Sequence, residues 1–174
     1  DFSEICSEPR LAAELYRRAH ALSPDDFIHL GYLGDALDAD PRTAAQAREP
    51  YRQAAELAQG FVDAKPDDAR AVAALGWYRA QLGEREAALG LAERAAALRD
   101  EPGEVALLRA TTFAVLGLPE QARGALQAAR DAGFPESRIA SNAVLRRTGL
   151  AGPPAPAPAA ASEPPATAVA PRGE

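Results

Sequence analysis

The stretch Leu75-Gly76-Trp77-Tyr78-Arg79-Ala80-Gln81-Leu82-Gly83 decides the fold. Its closing Leu82-Gly83 returns as Leu116-Gly117, 34 residues later. Other positions keep the same phase: Gly76 with Ala110, Arg79 with Phe113, Ala88 with Ala122, Ala95 with Ala129. Self-similarity at that period marks stacked helical hairpins. The small residues have a physical role in such an array. A Gly or Ala at a helix crossing lets two backbones approach where a bulky side chain would hold them apart.

Copies of the pattern extend upstream. Ala47-x3-Tyr51-x2-Ala54 and Ala12-x3-Tyr16-x2-Ala19 share one spacing, the latter followed by Leu22 and Pro24. Leu33-Gly34 lies between them. From Leu33 to Leu75 the interval is 42, eight more than the regular period. One extra residue is expected in the loop around Asp38–Thr43. About seven, roughly two helical turns, are expected to lengthen the helix ending near Ala64.

Seven main helices follow from the periodicity and its punctuation: Pro9–Leu22, Phe27–Leu37, Ala47–Ala64, Ala69–Leu82, Arg85–Leu98, Glu104–Leu116 and Leu118–Ala132. Pro9 suits a first turn, where its missing N–H has no partner to lose. Pro50 must also lie in a first turn, or it would kink its helix. Asp26 and Asp68 stand where an N-cap belongs. Gly133 is placed as a left-handed C-cap. Residues 134–150 change character: short helices around Ser137–Ala140 and Asn142–Arg147, ended by Gly149, read as a cap on the last hairpin. Residues 151–174 hold seven prolines and almost no large apolar side chain. Such a segment cannot bury enough surface to offset its ordering entropy, so a disordered tail is expected. The domain plan is thus an N-terminal segment 1–8, a helical domain 9–150 and a tail 151–174.

Composition agrees with an all-α chain. Ala, Leu, Glu, Arg and Gln dominate the body and favour helix. Val and Ile are few, and they never alternate over a strand length. Net charge is −6. The 18 Arg and one Lys are mixed with Asp and Glu at helical spacing, which reads as a solvated face rather than a phosphate footprint. Nucleic-acid binding is therefore not expected. No apolar run approaches the ~18 residues that span a bilayer, and the opening Asp1-Phe2-Ser3-Glu4 does not read as a signal peptide. The sequence holds no Met. It reads as a processed product or as a piece of a longer protein cut within a repeat array. Cys6 is the single cysteine, so no intramolecular disulfide can form.

These motifs resemble the tetratricopeptide repeat family, whose signature runs W-x2-L-G-x2-Y, then A-x3-F, then P. The resemblance covers roughly residues 10–132. Arg109 stands where the family has Leu, and Arg79 where it has Tyr. The resemblance implies an antiparallel helix-hairpin solenoid, a right-handed superhelix of about three repeats with a C-terminal cap. The order of elements, closing on an Ala132–Pro135 turn and a short helical cap, is similar to the C-terminal repeat region of bacterial receptor-type serine/threonine kinases and related membrane-anchored regulators. That similarity implies a sensory or scaffolding role, on the periplasmic side of a membrane-anchored protein, with a cytoplasmic location as the alternative.

A catalytic site is not expected. His20 and His29 belong to no spaced ligand set. Asp25-Asp26 and Asp67-Asp68 are explained by capping. No Gly-rich phosphate loop is present, and no cofactor or metal is implied. The chain therefore reads as a binder rather than an enzyme. In the family, fixed positions of each first helix line a concave groove. Carried onto this chain they give Tyr32, Asp35 and Asp38, then Arg70, Ala73, Trp77 and Gln81, then Leu107 and Thr111. Trp77 reads either as an aromatic anchor for a partner or as packing between neighbouring first helices. The groove lacks the Lys and Asn pattern that clamps a C-terminal carboxylate. A protein or peptide segment that is apolar, or that carries Arg or Lys toward Asp35 and Asp38, fits better. Self-association through exposed end helices is a further expectation. The alternatives to a signalling scaffold are an assembly or secretion helper and an accessory helical domain of an enzyme.

Overall fold

A computed structural model describes residues 8–98 and 103–152. The expectations for Cys6 and for the tail beyond Gly152 lie outside the described residues. Among those described, the chain is all-helical: α1 Pro9–Leu22, α2 Phe27–Asp38, α3 Arg48–Ala64, α4 Ala69–Gln81, α5 Arg85–Ala97, α6 Gly103–Val115, α7 Pro119–Asp131, α8 Glu136–Ser141 and α9 Ala143–Arg147. A 3-10 turn at Ala44–Gln46 precedes α3.

Local chemistry accounts for the boundaries. Asp26 accepts the Ile28 N–H at 3.0 Å, and Asp68 accepts the Ala71 N–H at 3.0 Å, each opening a helix. Pro9 opens α1 and Pro119 opens α7. The periodic Leu-Gly pair proves to be a stop signal. Gly83 and Gly117 take φ of +86° and +69°, and no atom lies within 4 Å of where a Cβ would stand. They are there for the left-handed backbone. The N–H of Glu84 closes on the Arg79 carbonyl at 2.8 Å, and that of Leu118 on Phe113 at 2.9 Å. This is the Schellman pattern, satisfying carbonyls the helix leaves open. Close approach operates at Gly76 instead, where a Cβ would lie 3.2 Å from Leu91 Cβ and 3.4 Å from the Ala88 carbonyl oxygen.

The eight-residue insertion divides differently from expectation. The connection from α2 to α3 spans nine residues, 39–47, against three, 82–84, between α4 and α5. Helix α3 is 17 residues against 13 for α5. The loop thus takes the larger share. Asp40 organises it: its carboxylate accepts the Arg42 backbone N–H at 3.0 Å and the Arg42 side chain at 3.0 and 2.8 Å. Those bonds hold the Asp40 carboxyl down at about 2.

Adjacent helices pack in pairs from α1–α2 through α6–α7, and α4 also packs closely on α6. Helices α2 and α4 meet through rings. Gly31 lies beneath Trp77 and Tyr78, and a Cβ there would stand 2.4 Å from the Tyr78 ring. Tyr78 reaches across to donate to the Phe27 carbonyl at 3.1 Å. One core gathers α1 to α4 around Phe27, Tyr51, Trp77 and Tyr78. A second joins α6 and α7 to Ile139, Val144 and Leu145 of the cap. The cap covers the last hairpin and continues further, with α9 packing on α6 and also on α2.

Candidate functional site

The face shared by α2, α4 and α6 carries the residues expected to meet a partner. The structure brings several together and buries them. Trp77 has no exposed surface. Its ring sits 4.8 Å from Tyr78, 5.6 Å from Tyr32 and 6.5 Å from Tyr51. Of the two readings open for Trp77, packing between neighbouring helices describes its position. Its indole N–H has no acceptor among the described residues. Ala73, Leu107 and Thr111 are buried as well. These four side chains therefore offer no surface to a partner.

Asp35 is the electrostatic centre of the face. It projects from α2, is 4% exposed, and accepts from Tyr51 Oη at 2.6 Å and from Gln81 Nε2 at 3.2 Å. Burial, opposed by those two bonds and by the charge of Arg147, pushes its carboxyl up to about 7. The charge of Asp38 adds to the rise. Burial likewise raises the phenols of Tyr51 and Tyr78. One turn on, half-buried Asp38 pairs with Arg147 of α9. Arg70 lies apart from this centre. It reaches Glu104 at 3.3 Å and Asp26 at 3.8 Å, with its guanidinium 5.5 Å from the Phe27 ring centre.

The cap supplies what covers the face. Asn142 caps α9 and donates to Thr111 Oγ1 at 3.4 Å, while Thr111 itself donates to the Leu107 carbonyl. Burial raises the Tyr32 phenol, and the charge of Arg138 partly offsets that rise. Between α1, α2, α6 and the cap lies a cavity of about 80 Å³, reached by Tyr16, Tyr32, Asp35, Leu107, Arg138 and Asn142. Arg138, Asn142, Arg147 and Tyr16 were not among the sequence-derived site residues. The signal available was weak: a cap with Arg138, Arg146 and Arg147 opposite α2 with Asp35 and Asp38.

Among the described residues, no group of three His, Cys, Asp or Glu side chains could hold a metal ion. No described helix is long and apolar enough to cross a membrane. No family model, no curated protein and no solved structure matches the chain.

Proposed function

We propose that this chain is a protein-interaction module of the tetratricopeptide type, which holds a short basic and apolar helical segment against α2, α4 and α6. One observation carries the reading: the chain's own cap packs on α6 and α2 of that face. Its Val144 and Leu145 are buried against α6 and α7, and its Arg147 sits on Asp38. A face that accommodates such a segment in cis has the shape and charge to accept one in trans. The 34-residue phase and the pairwise helix packing support the repeat reading. Element order supports a place in the sensory or scaffolding region of a bacterial signalling protein. An assembly helper would use the same face.

A fluorescein-labelled peptide with the sequence of residues 136–149 tests this. Fluorescence anisotropy should report saturable binding to the full chain, tighter in Arg147→Glu, whose own cap is loosened. Absence of binding to both proteins would remove the recognition role of this face. A second surface favours self-association. Leu11, Leu15 and Leu22 stand exposed along α1, Leu22 at 86%. Sedimentation equilibrium of Leu15→Glu beside the parent decides whether this row pairs two copies.

A further inference from the structure

We propose that the cavity between α2 and the cap is a binding site for a small α-amino acid of glycine or alanine size, whose ammonium meets Asp35 and whose carboxylate meets Arg138. The two charged groups come from different elements and line one cavity. Asp35 is buried, yet both of its hydrogen bonds, from Tyr51 and Gln81, fall on the same oxygen, Oδ1. A buried carboxylate is costly unless its charge is met and its oxygens are hydrogen-bonded, and a ligand ammonium supplies both. The Arg138 guanidinium carries five donors and matches a carboxylate bidentately.

A ligand of single charge suits the cavity less well. A bare cation would share the space with Arg138, and a bare anion with Asp35. The zwitterion meets each with its opposite. The remaining walls fit a small organic body. Tyr16 and Tyr32 form a tilted pair with ring centres 5.4 Å apart, a surface that also favours an ammonium. Ala12, Ala36 and Leu107 complete it with apolar surface. The cavity volume, about 80 Å³, is roughly half of the ~150 Å³ cavity that takes up benzene. That size suits a small ligand body. Such a ligand would tie α2 to the cap, so binding would hold the cap in place.

Equilibrium dialysis of the full chain against radiolabelled L-alanine at pH 7.5 tests the site. Saturable one-to-one binding is expected. Unlabelled alaninamide, which lacks the carboxylate, and propionate, which lacks the ammonium, should each compete about tenfold or more weakly than L-alanine. Arg138→Gln changes an exposed side chain and should leave the circular dichroism spectrum intact while weakening binding about tenfold or more. No uptake of L-alanine overturns the proposal. So does equal competition by alaninamide or by propionate, and so does unchanged affinity in Arg138→Gln. Asp35→Asn, checked for folding in the same way, should also lose binding; a folded variant that retains it overturns the role given to Asp35.

Discussion

Two residues concentrate the physical chemistry of the face. Trp77 fills the space between α2 and α4, so its truncation opens a cavity. Trp77→Ala should cost about 3–5 kcal/mol of stability in urea denaturation. Because the indole N–H has no acceptor among the described residues, Trp77→Phe sacrifices no bond to them and should cost clearly less than Trp77→Ala. The emission of this single tryptophan should be blue-shifted and protected from quenchers. Asp35 sets a pH dependence. Its folded pKa, about 7, lies above the unfolded value of about 3.9. The native state therefore holds an extra proton between those values. Stability should be greatest near the lower end of that window and fall by a few kcal/mol, as an order of magnitude, as pH rises through about 7. Asp40 acts in the opposite sense and in a different window, losing its contribution as pH falls toward about 2. Denaturation midpoints measured between pH 4.5 and 8 should decline in the parent and stay nearly level in Asp35→Asn. A parallel decline in both would assign the effect elsewhere.

At the scale of elements, the sequence was legible wherever a local signal ended or opened a helix. The boundaries of α1 through α7 fall within about a residue of expectation because Pro9, Asp26, Asp68 and the Leu-Gly pairs act on their own neighbours. The insertion before α3 was less legible. Its loop is held by Asp40 through Arg42 and, more distantly, through Arg10 of α1 at 3.6 Å. A helical pattern alone cannot report that second partner. Close contact also sorted itself by structure. Gly76 and Gly31 both sit on buried helices, but Gly76 faces α5 and Gly31 faces two aromatic rings. Gly76→Leu should overpack α4 against α5 and cost about 1–3 kcal/mol. Gly31→Ala should also destabilise the protein, despite the better helix propensity of Ala, because the Trp77 and Tyr78 rings must move. A Gly31→Ala protein more stable than the parent to thermal unfolding would show that the rings yield freely.

Across the whole molecule, the position of the cap was the part sequence reasoning could not reach. A cap over the last hairpin follows from short helices after a solenoid-like pattern. Its extension to α2 depends on a contact between residues 109 apart, Arg147 and Asp38, and no periodicity carries that information. The same contact changes the reading of the site. Asp35, Trp77, Leu107 and Thr111 were expected to face a groove, but Trp77 packs between α2 and α4, and the cap packs against Leu107 and Thr111. The cap is held chiefly by packing. Leu145→Ala, which empties a fully buried site, should cost about 2–5 kcal/mol and expose the face; a variant that unfolds with the parent's midpoint would show that the cap is loosely seated.

The central claim is that the cap and a partner segment compete for one face. Ala39→Cys, at an exposed position beside Asp38, and Arg147→Cys in a Cys6→Ser background allow the cap to be locked down with a short bis-maleimide cross-linker. Anisotropy of the labelled 136–149 peptide, read before and after cross-linking, tests the competition. The account predicts saturable binding to the unlocked protein and its loss in the locked one. Equal binding in both states would contradict it.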